Sequence, residues 1–135
     1  MKKLILTIFA VFTISMYSQA QNNSTAVGDS IVFEKTVHDY GTIVQGSNGE
    51  TEFVFVNKGK TPLILNNVIA SCGCTSPEWT KAPILPGEKG SVKVKYNTEI
   101  LGSFTKSVTV SSNASNYIVT LIIRGDVVQK ATAQP

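Results

Sequence analysis

The sequence predicts an all-β chain folded as an antiparallel sandwich of about seven strands, and three observations predict it. Apolar residues recur with the period of two that marks a strand, not the 3.6 that marks a helix. Clusters of Gly, Asn, Ser and Pro interrupt these runs at intervals of about ten residues. Beyond residue 20 no apolar pattern has helical length and period.

Ile31-Val32-Phe33 is the first strand-like run, and Thr51-Glu52-Phe53-Val54-Phe55-Val56 is the second. The latter is apolar on both faces from Phe53 onward, the pattern of a central strand. Leu63-Ile64-Leu65 follows. In Ser91-Val92-Lys93-Val94-Lys95-Tyr96, Val92, Val94 and Tyr96 share one face and Ser91, Lys93 and Lys95 the other, a half-buried strand. Val108-Thr109-Val110 and the run from Tyr117 to Ile123, again apolar on both faces, complete the set. The turns between them carry the residues that tight turns need: Gln45 to Gly49, Asn57-Lys58-Gly59-Lys60, Leu85-Pro86-Gly87-Glu88, and Ser112 to Asn116. Gly and Asn tolerate positive φ, and Pro86 presets the first turn position before Gly87. The sum is an immunoglobulin-like sandwich over residues 31–128, between polar, small-residue segments at 21–30 and 129–135 that are expected to be flexible.

The first twenty residues read as an export signal. Lys2 and Lys3 precede the apolar run Leu4 to Ile14, and Ser18-Gln19-Ala20 offers a cleavage site. That run is too short to span a bilayer, so no membrane insertion is expected after cleavage, and the mature protein is expected to be periplasmic or secreted. The whole chain has 12 Lys and Arg against 9 Asp and Glu, so losing Lys2 and Lys3 leaves a net charge near +1. No basic stripe with interleaved aromatics remains, which argues against a nucleic-acid partner.

Cys72 and Cys74, the only cysteines, flank Gly73. In an oxidising compartment a disulfide is their default state. Residues two apart in an extended segment share a face with Cα atoms about 6.6 Å apart, so a bond there is strained unless Gly73 bends the chain. Closing so small a ring removes little chain entropy, and strain makes a bond easier to reduce. Three states therefore stand open: a structural disulfide or inert paired thiols, a redox-active dithiol, and a two-thiolate Cu(I) site formed by Cys72 and Cys74, with or without His38, the one histidine. No catalytic residue is assigned. The chain has no Gly-x-Ser-x-Gly elbow or nucleotide-binding glycine fingerprint, and His38-Asp39 would point to opposite faces.

The remaining marked residues read as scaffold. Asp39 is expected to satisfy backbone groups at a turn, Gly41 to bend the chain, and Tyr40 and Ile43 to enter the core. Trp79 is expected to cover an edge of the core near Pro77 and Pro83. Lys106 shares parity with Phe104, Val108 and Val110, so its amine aims inward unless a bulge, a snorkelling stem or a carboxylate relieves it.

His38-Asp39-Tyr40-Gly41-Thr42-Ile43, Gly46, Phe53 to Gly59 with Asn57 inside it, Pro62-Leu63, Ser71-Cys72-Gly73-Cys74-Thr75, Pro86-Gly87, Gly102 to Lys106 and Ser112-Asn113 together resemble the secreted bacterial family called domain of unknown function 1573. The resemblance runs from about Val32 to Val127. That family is similar to immunoglobulin-like domains of the hydin and major sperm protein type, which implies the sandwich and implies no activity. The expectation is a non-catalytic exported interaction or structural module of the bacterial envelope, without cofactor. Its partner would be an envelope protein, a glycan, or a second copy meeting it at a strand edge. The alternative is a small thiol-redox or copper-binding protein.

Overall fold

The computed structural model describes residues 29–132, so the expected export signal, residues 21–28 and the last residues of the tail lie outside the described part. Eight strands follow one another: β1 (Ile31–Phe33), β2 (Val37–Val44), β3 (Glu50–Asn57), β4 (Leu65–Ala70), β5 (Thr75–Trp79), β6 (Lys89–Tyr96), β7 (Gly102–Ser112) and β8 (Ile118–Val128). They form two four-stranded sheets, one in the order β1-β3-β6-β5 and the other β2-β8-β7-β4.

The alternating runs fall where the pattern places them. β3 and β6 are central in the first sheet, and β7 and β8 in the second. Their inward side chains, Phe53, Phe55, Val92, Val94, Val108, Val110, Leu121 and Ile123, are at most 1% exposed. Across the layers Tyr96 of β6 stacks on Phe104 of β7 with ring centroids 3.7 Å apart. Burying an aliphatic or aromatic side chain of this size contributes about 1.5–3 kcal/mol, so these strands hold the sandwich closed.

The edges depart from expectation. Leu63 makes only an isolated bridge to Ile84, and the strand expected at 63–65 begins instead at Leu65 and runs to Ala70. β2 and β5 are additional strands, and Tyr117 lies outside β8. The sandwich is mixed, because β2 runs parallel to β8, from Val37 opposite Ile122 to Val44 opposite Val128. Within that pair the register shifts between Asp39 and Thr42. Gly41 takes φ 63°, and its N–H donates to Asp39 Oδ1 at 2.8 Å. Asp39 thus makes the expected local turn, as a bulge that aims Tyr40 inward. Tyr40 packs against the core and its hydroxyl donates to the Gly49 carbonyl at 2.7 Å.

Asn57 ties three segments together. Buried to 1% exposure, it donates through Nδ2 to the carbonyls of Thr61 at 2.8 Å and Ile84 at 2.9 Å, and it accepts through Oδ1 from Gly59 N–H at 2.8 Å. Its main chain pairs with Glu88 and Gly87. Gly87, at φ 81° behind Pro86, is the turn glycine that the Pro-Gly pair requires. Gly59 is needed for space, since a Cβ there would collide with Asp29, whose carboxylate caps the backbone N–H of Lys60 and Thr61. On the other side Asn113 latches to residues ahead of β4, accepting from Ile64 N–H at 2.9 Å and donating to Pro62 at 3.1 Å.

Replacing Asn57 by Ala leaves two carbonyls and an N–H without their buried partner, and a loss of about 3 kcal/mol is expected in urea denaturation. Asn57→Asp should lose at least as much, because a carboxylate cannot donate to either carbonyl. Burial pushes the Tyr40 phenol up to about 12, with Glu50 acting in the same direction. The stabilisation held by its protonated form is complete below the ordinary tyrosine range near pH 10 and is lost as pH rises toward 12. The stability difference between wild type and Tyr40→Phe should therefore shrink over that window, and a difference independent of pH would refute this account.

Candidate functional site

One pole of the sandwich gathers the β2–β3 turn (45–49), the Cys72–Cys74 turn between β4 and β5, and the β6–β7 loop (97–101). Their hydrogen bonds interlock. Gly46 N–H donates to Thr98 O at 3.2 Å, Thr98 Oγ1 to Ser47 O at 2.6 Å, Gln45 Nε2 to Glu99 O at 2.9 Å, and Asn97 N–H to Cys74 O at 2.8 Å. Gly49 is needed here because a Cβ would strike the Tyr96 carbonyl. Between these loops opens a cleft of about 720 Å³ with Cys74 and Gly73 on its wall and Lys95 and Glu99 as its charged side chains.

Cys72 and Cys74 form a disulfide with Cα atoms 5.3 Å apart. Their segment is a turn, so the chain bends at Gly73 in the way that relieves the extended spacing of about 6.6 Å. Both residues are half-buried, and Thr75 Oγ1 lies 3.8 Å from each sulfur. The turn's structural work is to carry the chain from the edge of the second sheet to the edge of the first.

His38 is not part of this site. It sits on β2, at the opposite edge of the second sheet from β4, with β8 and β7 between. Three strand spacings amount to about 14 Å, so His38 does not join the cysteines as a third ligand. Its ring meets Tyr40 edge-on at 4.5 Å and Nδ1 lies 3.2 Å from Lys35 Nζ. Burial first, then the lysine charge, lower its pKa. Among the described residues no group of three or more His, Cys, Asp or Glu side chains is placed to hold a metal ion.

Trp79 packs partly buried against the core from edge strand β5, as expected, and Lys81 Nζ stands 3.0 Å above its ring centroid. Its Nε1 is buried without a hydrogen-bond partner. Lys106 is half-buried with inward parity. Neither the bulge nor the carboxylate considered for it is found: β7 pairs with β8 in unbroken register from Gly102 to Ser111, and the ion pairs among the described residues are Lys89–Glu34 and Arg124–Asp39.

Three sheet edges carry features that hinder pairing with another strand. At β1, Asn116 occupies both main-chain groups of Ile31, accepting from its N–H at 3.0 Å and donating to its carbonyl at 2.8 Å. In β5, Thr80 N–H bonds inward to Ser91, so Pro77, of opposite parity, turns its donor-free nitrogen outward. In β4, Asn67 Oδ1 occupies Val68 N–H at 2.9 Å. Asn116 carries a role that the sequence alone did not signal beyond its place in a turn cluster.

The two outer faces differ in chemistry. On the first sheet Glu50 lies opposite Lys95, and Lys93 lies between Glu52 and Glu78. On the second, Val37, Ile122 and Ser107 form one row, Thr120, Thr109 and Ile69 a second, and Ile118, Ser111 and Asn67 a third. These rows carry no charge. Charge on that outer face is confined to its end beyond Val37, where Arg124 Nε pairs with Asp39 Oδ2 at 2.8 Å and Asp126 accepts from Ser103.

No curated protein matches the chain. Among solved structures it is similar to a protein of unknown function from Porphyromonas gingivalis W83, with TM-score 0.65 at 15% identity over 73% of this chain and 46% of that one. It is also similar to PapD-like domain 7 of human CEP192, with TM-score 0.65 at 8% identity over 77% and 89% of the two chains. A third likeness is the VesB protease of Vibrio cholerae, with TM-score 0.60 at 18% identity, covering 73% of this chain and 31% of the protease. The chain thus spans less than half of the Porphyromonas gingivalis protein, and at these identities the likenesses establish the fold. A family description, protein of unknown function (DUF1573), matches residues 31–127, nearly all of the sandwich. The chain belongs to the DUF1573 family.

Proposed function

We propose that this protein is a non-catalytic interaction module of the bacterial envelope that docks a partner protein on the outer face of its second sheet. The observation that carries this reading is the contrast between the faces. Lys and Glu in the Glu50–Lys95 and Glu52–Lys93–Glu78 rows of the first sheet hold water strongly and resist burial, whereas the uncharged Ser, Thr, Asn, Ile and Val rows of the second cost less to desolvate once their polar groups find partners. Ile69 and Ile118, at 58% and 48% exposure, supply apolar surface at two sides of that patch. A protein fits better than a glycan, because the three rows present no aromatic ring for a sugar to stack upon. The leader-like start of the chain supports export.

A photo-crosslinking residue at position 109, with the protein expressed in its native host, is expected to give a discrete protein adduct, while the same residue at Lys93 gives none. Thr109→Lys should weaken binding of that partner at least tenfold, about 1.4 kcal/mol, without changing the melting temperature. Equal adducts from both faces, or a glycan adduct, would overturn the reading. Replacing Cys72 and Cys74 together by Ser opens a very small ring, so a stability loss of about 1.5 kcal/mol with partner binding retained is expected. Loss of binding in that folded variant would move the site to the disulfide pole and favour the thiol alternative.

A further inference from the structure

β7 is longer than the strand that flanks it. β8 accompanies it from Gly102 to Ser111, but β4 pairs with it only between Val108 and Ser112. Ser71 adds one last contact: its N–H donates to Ser107 O at 2.9 Å and its Oγ accepts from Ser107 N–H at 3.2 Å. There the Cys72–Cys74 turn leads the chain away to the other sheet. The main chain of Ser107 therefore faces the β4 side, and by the period of two so does that of Ser103 and Thr105. Among the described residues nothing pairs with these two on that side. Three sheet edges are hindered by Asn116, Pro77 and Asn67; this stretch of β7 is left open.

Its surroundings suit a ligand. Ile100 and Leu101, 45% and 49% exposed, lie just before the open stretch. Lys106 projects on its inward side, half-buried, with no carboxylate within ion-pair distance among the described residues. The disulfide turn bounds the notch where β4 ends.

We propose that this notch is a strand-addition site for a short extended segment of a partner protein, carrying an acidic side chain for Lys106 and an apolar one for Ile100 and Leu101. Ser103 and Thr105 offer two outward N–H groups and two carbonyls, the pattern that an added strand satisfies in the line β4 vacates. A carboxylate compensates an ammonium that is partly withdrawn from water. A second copy of this chain is a poorer occupant. Antiparallel self-pairing about Thr105 would bring two Lys106 side chains close together with no acid between them. This site is separate from the uncharged face of the second sheet and does not depend on docking there.

The test uses a capped peptide of alternating threonine and valine with a central aspartate, titrated into the labelled protein and followed by amide resonances. Shifts confined to Ser103–Lys106 and the 71–74 turn are expected. Affinity should fall about tenfold or more when the peptide backbone is N-methylated on its pairing edge, and by a similar factor when lysine replaces aspartate. Thr105→Pro removes an outward donor without touching the bonds to β8, and should abolish the shifts. Lys106→Glu, a charge reversal at a half-buried side chain that leaves the main-chain bonds in place and serves if the proline variant fails to fold, should invert the preference between the two peptides. No shifts up to the solubility limit, shifts elsewhere, or equal binding of the N-methylated peptide would overturn the proposal. Concentration-dependent dimerisation lost in Thr105→Pro would overturn it too, by assigning the edge to a second copy.

Discussion

The structure depends on one constraint: two sheets must meet through side chains that alternate strictly along β3, β6, β7 and β8. Phe53, Phe55, Val92 and Val94 from one layer face Val108, Val110, Leu121 and Ile123 from the other, and all are essentially withdrawn from water. A shift of one residue in any of these strands would turn its apolar set outward. Everything peripheral adapts to that lock. The bulge at Gly41 lets β2 follow β8 while Tyr40 still points inward, and Gly125 leaves room for Tyr40 and Phe104 where a Cβ would crowd both.

Polar residues complete what the apolar ones begin. Asn57, Asn113 and Asn116 each present an amide that both donates and accepts, so each can stand in for a missing strand neighbour. Asn57 does this between the β3–β4 turn and the loop before β6, and Asn116 at the edge of β1. These amides thereby tie together the loops at the pole opposite the disulfide, where β3 and β7 end and β4 and β8 begin.

The central strands were legible because burial on one or both faces imposes a visible period. The edge strands were not. β4 contains Asn66-Asn67 and a register shift, β5 contains Pro77, and β2 contains Gly41, all residues that interrupt a strand pattern because they serve the edge. Strand direction is likewise absent from periodicity, which is the same for parallel and antiparallel pairs, so β2 beside β8 had no local signal. The cysteines were legible as a pair but not as a turn. Grouping His38 with them failed for a topological reason: both lie near edges of one sheet, but the edges are opposite ones. Asp39, Gly41, Pro86 and Gly87 were legible in their roles because turn chemistry is local.

The parallel pairing of β2 with β8 has a kinetic meaning. Asp39 meets Arg124 and Ile31 meets Asn116, each across 85 residues of sequence. Closing loops of that length must precede the contacts that reward it, which slows folding of such topologies. The second sheet gains its β2 edge only after β8 has been delivered. A chain emerging from its N-terminus can therefore assemble β3 to β7, but it stays unfinished until its final strand arrives.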